Sequence, residues 1–112
     1  MPTTSSIPAA EALDLNDLIA AATSGIASRV LAKNSGGSLT LFAFAAGEGL
    51  SEHTTPFDAL VLTLDGTLTV TIGGQSMAAV PGTIVRLPAN IPHAVDAAVT
   101  SRMLLIMLRG TD

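Results

Sequence analysis

The sequence predicts an all-β fold, a mostly antiparallel barrel of jelly-roll type with one short N-terminal helix. Three observations carry this. Seven or eight short β-rich runs follow one another at roughly 8 to 12 residues, separated by Gly, Pro, Asn and Asp, as in sandwiches and barrels. No crossover helix interrupts them, which jelly-roll closure accounts for. The chain is also short and apolar, 112 residues with 48% hydrophobic and 12% charged, enough for one domain with one core and too hydrophobic for disorder.

Residues 1–10 hold two prolines among small polar residues with no apolar period, and predict an extended or mobile arm. Leu13, Leu15, Leu18, Ile19 and Ala22 partly follow a helical stripe, with Asp14, Asn16 and Asp17 opposite and Gly25 as a stop, so a short helix is expected. Arm and helix, residues 1–25, precede a single barrel domain over 26–112. Residues 26–31 and 38–44 are β-rich runs joined through Lys33-Asn34-Ser35-Gly36-Gly37, a cluster that supplies the positive φ angles of a hairpin. Residues 59–64 are apolar on both parities, which predicts a strand buried on both faces. Asp65-Gly66 then predicts a hairpin into residues 67–72, where Leu68, Val70 and Ile72 alternate with threonines. Gly73-Gly74 and Pro81-Gly82 mark turns around strands at 75–80 and 83–87, Pro88-Ala89-Asn90-Ile91-Pro92 marks a corner, and residues 102–108 form a Met- and Leu-rich closing strand.

The composition excludes several functions. Nine acidic residues against five basic ones, a net charge of −4 and no Trp or Tyr leave neither a phosphate-binding stripe nor a base-stacking platform, so no nucleic-acid partner is expected. The absence of cysteine excludes a disulfide framework, a thiolate zinc site and a cysteine nucleophile. Neither glycine pair, Gly36-Gly37 or Gly73-Gly74, opens a helix, and no Gly-x-Ser-x-Gly elbow occurs. The first basic residue is Arg29 and no apolar run approaches the ~20 residues of a membrane span, so a soluble cytoplasmic protein with no membrane partner is the expectation. So few charges on so small a chain also predict self-association as a homodimer, with one face of the 59–64 strand packed on its twin or accepting its N-terminal arm.

The two histidines carry the chemistry. His53 lies in Gly47-Glu-Gly-Leu-Ser-Glu-His53-Thr-Thr-Pro56 and His93 follows Pro88-Ala-Asn-Ile-Pro92, each beside a proline-marked corner at a strand end. A barrel can bring two such positions together in its mouth.

At these residues the chain resembles the cupins. Their first motif runs Gly, five residues, His, one residue, His, three or four residues, Glu, six residues, Gly; Gly47, His53 and Gly66 match it. Their second runs Gly, five residues, Pro, one residue, Gly, two residues, His, three residues, Asn; Gly82, Pro88 and His93 match it. The resemblance implies a cupin barrel whose metal is held by the three histidines and the glutamate. Here the second histidine position is Thr55, the glutamate position Ala59, the second-motif glycine Asn90 and its last position Ala97. Two imidazoles leave a divalent ion short of its usual three or four protein ligands, so no cofactor is expected beyond a weakly bound divalent metal.

Asp58 is the carboxylate that could complete a three-ligand site of His53, Asp58 and His93. Neighbouring strand residues point to opposite faces, so Asp58 would need a bulge at Pro56 to turn inward. Glu48 and Glu52 read as solvated loop charges, and Arg86 as an edge or interface charge. A plainer reading has both histidines bonded to backbone or hydroxyl groups with no ligand. A third has His53, Thr55 and His93 lining a metal-free pocket walled by Phe42, Phe44, Val61, Leu87, Met103 and Met107, residues that also make ordinary core. Three functions follow: a cupin-like protein binding a small molecule in the barrel without a complete metal site, a metal-dependent oxygenase or isomerase with a non-standard carboxylate, or a structural or interaction protein.

Overall fold

The computed structural model describes residues 3–110. Ten strands follow in order: β1 (Thr4–Ser5), β2 (Ile26–Asn34), β3 (Gly37–Phe44), β4 (Gly49–His53), β5 (Ala59–Asp65), β6 (Leu68–Ile72), β7 (Gln75–Ala79), β8 (Ile84–Leu87), β9 (His93–Asp96) and β10 (Ser101–Leu108). They form a six-stranded sheet in the order β1-β2-β3-β10-β5-β8 and a four-stranded sheet in the order β4-β9-β6-β7. All pairings are antiparallel. This is the expected all-β jelly roll.

The apolar runs fill two separate cores because side chains alternate across a strand. Phe44 of β3, Val61 of β5 and Met103 of β10 face the barrel interior, where they meet Leu68 and Val70 of the opposite sheet, all with 0% exposure. The Phe42 and Phe44 rings stack at 6.0 Å. The alternate residues Leu41, Leu62 and Leu104 face outward and are directly paired across the three strands. They are covered by Ile7, Leu15, Leu18 and Ile19, which make a second core on the outside of the larger sheet. The doubly apolar strand at 59–64 is therefore closed on its outer face, at Leu62 and Leu64, by the chain's own N-terminal segment.

Three expectations are corrected. The helix over the 13–22 stripe is a single turn of 3-10 helix, Leu15–Asp17, capped by the Asp14 carboxylate on the Asn16 amide. The carbonyls that further turns would use are taken by two arginines. Arg102 Nη1 donates to the Asn16 and Ile19 carbonyls at 3.2 and 2.9 Å, and Arg29 Nη1 to Leu18 at 3.0 Å. In the arm, Thr4 and Ser5 pair with Lys33 and Ala32, and bends and a turn follow through Ala10; Met1 and Pro2 lie outside the described residues.

The hairpin expected at Asp65-Gly66 does not form. β5 lies between β10 and β8 in the larger sheet, whereas β6 lies between β9 and β7 in the smaller one. The turn carries the chain from one sheet to the other. Gly66 has φ +73° and passes so close to the Thr100 carbonyl and the Ser101 hydroxyl that a Cβ has no room. Two-residue hairpins form instead at Gly73-Gly74, with Ile72 opposite Gln75, and at Ser35-Gly36, with Asn34 opposite Gly37.

The third correction concerns the strands that hold the histidines. β4 and β9, five and four residues long, were not among the predicted runs. Each is too short and too polar to show an apolar alternation.

Candidate functional site

His53 ends β4 and His93 begins β9, and the register pairs them directly across the two strands. Their rings meet edge to face with centroids 4.3 Å apart and planes at 72°. The two Nε2 atoms are 3.1 Å apart. His53 is exposed and His93 is buried, at 4% exposure.

The network assigns the protons. His53 Nδ1 lies 2.9 Å from the Ser51 carbonyl, which can only accept, so Nδ1 carries the hydrogen and the neutral ring leaves Nε2 bare. His93 Nε2 must then donate to His53 Nε2. That leaves His93 Nδ1 as a bare nitrogen, buried with no hydrogen-bond partner. Burial holds the His93 ring below the ordinary imidazole value, and a charge on His53 would push it further the same way. The Ile91 backbone pulls in the other direction, yet does not meet Nδ1 in hydrogen-bond geometry. With His93 held neutral, the contact offers one donor and one acceptor.

A small, partly open cavity of about 40 Å³ lies beside the two rings. Thr55, Ala59, Val61, Leu87, Met103 and Met107 line it together with Leu50, Val95 and Leu105, and no charged residue does. Four of the six expected wall residues are there; Phe42 and Phe44 belong to the same core but lie away from the cavity. Leu50 and Val95 were hidden in the sequence because they sit on the two unpredicted strands. Two larger hollows, of about 340 and 490 Å³, lie over the Gly36-Gly37 turn and beside Asp58, and neither contains a histidine.

The remaining predicted residues are placed as follows. The Thr55 hydroxyl donates to the Phe57 carbonyl at 2.9 Å, while its side chain borders the cavity. Asp58 does not join the histidines. Its Oδ2 pairs with Arg86 Nε at 2.9 Å and its Oδ1 accepts from the Ala89 amide at 2.8 Å. Both oxygens are thus spent holding the β8 edge and the Pro88 corner, and no bulge at Pro56 turns the carboxylate inward. Among the described residues, no three His, Cys, Asp or Glu side chains come together. The donors present therefore do not fit the divalent centre of three histidines and a glutamate, since only two imidazole nitrogens converge.

Asn90, at the second-motif glycine position, has φ +66°, a left-handed conformation that asparagine tolerates better than most residues. Its amide donates to the Thr55 carbonyl at 2.7 Å, tying the two motif loops together. The backbone features of both motifs persist where their ligands have been lost.

A double-sheeted antiparallel barrel with a histidine from each of two paired mouth strands defines the cupin class of proteins. The model of the cupin domain matches residues 40–109, and the chain belongs to that family. Among solved structures it is similar to a conserved protein of unknown function from Streptococcus pyogenes, 28% identical, with TM-score 0.91 over 100% of this chain and 98% of that one. A cupin superfamily protein from Desulfitobacterium hafniense is 33% identical, with TM-score 0.86 over 93% and 95%. A cupin 2 conserved barrel domain protein from Leptotrichia buccalis is 35% identical, with TM-score 0.80 over 86% of this chain and 47% of that one. No curated protein matches. No helix among the described residues is long and apolar enough to cross a membrane.

Proposed function

We propose that this cupin barrel binds a small ligand at its mouth through His53 and His93, with Thr55 on the pocket wall, and without the family's four-ligand metal centre. The observation that carries this is the 3.1 Å Nε2 contact between the two imidazoles in an apolar cavity. A group that both gives and takes a hydrogen bond, such as a hydroxyl or a protonated carboxyl, replaces that contact with two of its own. The inner cavity of about 40 Å³ admits only one or two groups the size of water, whose share of liquid volume is about 30 Å³. The remainder of a larger ligand lies toward the exposed ring of His53.

The test is a titration of nitrogen-labelled protein with a panel of small alcohols and hydroxy acids, following both imidazoles by long-range NMR correlation. The expected result is a joint shift of both rings with thermal stabilisation that vanishes in His53→Ala. No shift of either ring across the panel would overturn the proposal.

We also infer that the chain works as a homodimer. Leu39 at 38% and Ile84 at 57% exposure lie on the outer face of the larger sheet, where residues 7–19 do not close it. Sedimentation velocity is expected to give twice the chain mass of 11.3 kDa; a single 11.3 kDa species at micromolar concentration rejects the dimer.

A further inference from the structure

We infer that this pocket also takes a soft monovalent metal ion, Cu(I), held by the Nε2 atoms of His53 and His93 and the thioether of Met107. The inference rests on the reading that the histidine pair is the binding end of the pocket. It begins with the two metal-ligand positions of the first motif at which the chain departs from the cupin pattern. Thr55 removes an imidazole and Ala59 removes a carboxylate, so the hard oxygen donor is gone. The residue directly across from Ala59 on β10 is Met107, and Met107 lines the cavity together with both histidines and Met103. A thioether thus stands in register with the vacated carboxylate position. Imidazole with thioether is a donor set that favours Cu(I), whereas carboxylate-rich sets suit harder divalent ions.

Charge points the same way. No acidic side chain lines the cavity, so any ion there keeps its full charge in apolar surroundings. The solvation cost rises with the square of the charge, and a monovalent ion pays about a quarter of the divalent cost. Size agrees as well, because about 40 Å³ holds an ion far better than a drug-sized ligand, whose pockets run to roughly 300–1,000 Å³.

The rings are poised for this. Two imidazoles bound to one ion at about 2.0 Å, with trigonal or tetrahedral angles, have nitrogens roughly 3.3–3.5 Å apart. The 3.1 Å contact needs to open by only a few tenths of an ångström. The Ser51 carbonyl fixes His53 as the tautomer whose Nε2 lone pair faces the site, the orienting role that backbone carbonyls play behind metal-bound histidines. On His93 the proton moves from Nε2 to Nδ1, the buried nitrogen that has no partner in the metal-free pair. No proton is released, and the orphaned nitrogen becomes a donor on the side of the Ile91 backbone.

The test is an anaerobic titration of the full chain with Cu(I) against the chromophoric chelator bicinchoninate, alongside Zn(II) and Mn(II) retention on a desalting column. One Cu(I) per chain is expected, with Zn(II) and Mn(II) lost. Met107→Leu, which keeps the volume of a half-buried side chain, is expected to weaken Cu(I) at least tenfold and to remove a sulfur scatterer from the copper X-ray absorption spectrum. His53→Ala, at an exposed ring, is expected to abolish binding. Failure to compete for Cu(I), Zn(II) bound as tightly, or an unchanged affinity and spectrum in Met107→Leu overturns the inference. If Cu(I) fails while small hydroxy compounds still shift both imidazoles, the copper assignment falls and the pocket reading stands; if neither probe shifts them, both fall.

Discussion

The inside and the outside of the larger sheet are both apolar, but they are closed by different means. Inside, a second sheet meets it and side chains from both reach 0% exposure. Outside, a segment with only one turn of helix covers Leu41, Leu62 and Leu104, and its own Ile7, Leu15, Leu18 and Ile19 remain half-buried. Strand ladders close the interior; two arginine side chains hold the outer cover. Arg102 bonds Asp65 with Nε at 2.8 Å and reaches the Asn16 and Ile19 carbonyls, while Arg29 spans the Leu18 and Ser6 carbonyls. A cover held by side chains can open without unfolding the barrel, because its backbone adds to the sheet little more than the two residues of β1 and the Ser6 amide bond to the Leu31 carbonyl.

The largest effect should come from the interior. Phe44→Ala removes a ring with 0% exposure, and is expected to cost about 3–5 kcal/mol in a single cooperative unfolding transition measured with urea. A loss below 1 kcal/mol would mean that the two sheets do not share one rigid core.

Arg102→Met tests the cover. Its side chain is only 13% exposed and bonds both Asp65 and the N-terminal carbonyls, so losing it is expected to cost roughly 1.5–3 kcal/mol. Limited proteolysis should then cut residues before Ile26 first and leave the barrel intact. Cleavage spread evenly over the chain would show that the two regions open together. Leu18→Ala, on the same segment, is expected to cost about 1 kcal/mol, in keeping with partial burial, and to speed amide exchange there while sparing β3 and β10.

The smallest effect is one of pH, and it belongs to the mouth of the interior. His93 in the folded protein has its proton affinity lowered, chiefly by burial, so below about pH 6.5 the unfolded chain binds a proton that the folded one does not. Stability is full above that pH and falls as the pH drops toward the folded value. Thermal melts between pH 7.5 and 5 should show this slope in the wild type and a flatter one in His93→Leu. Equal slopes in the two would place the titration elsewhere.

Much of this was legible in residue order. The Gly and Pro punctuation and the alternation at 67–72 marked short strands, and the spacing of Gly47, His53, Gly66, Gly82, Pro88 and His93 marked a cupin barrel. The same spacing showed that Thr55 and Ala59 replace ligands. The N-terminal helix was misread because a partial apolar stripe looks alike whether its carbonyls bond along the segment or to arginines more than ten residues away in sequence. Asp65-Gly66 was misread as a hairpin because a tight turn does not specify whether the next strand pairs with the last or crosses to another sheet. β4 and β9 gave almost no pattern, since nine residues with few apolar positions carry little periodicity.

Sequence alone determined the fold class, the loss of two metal-ligand positions and the two apolar parities of the strand at 59–64, because these depend on residue type and spacing. Tertiary structure decided what each parity faces, since two cores made from one strand differ only in what lies above and below it. It also decided that Asp58 serves Arg86 and Ala89 and stays away from the histidines, and that Met107 stands across from Ala59. Those are matters of register between strands far apart in the chain, and a one-residue slip would have turned each side chain to the opposite face.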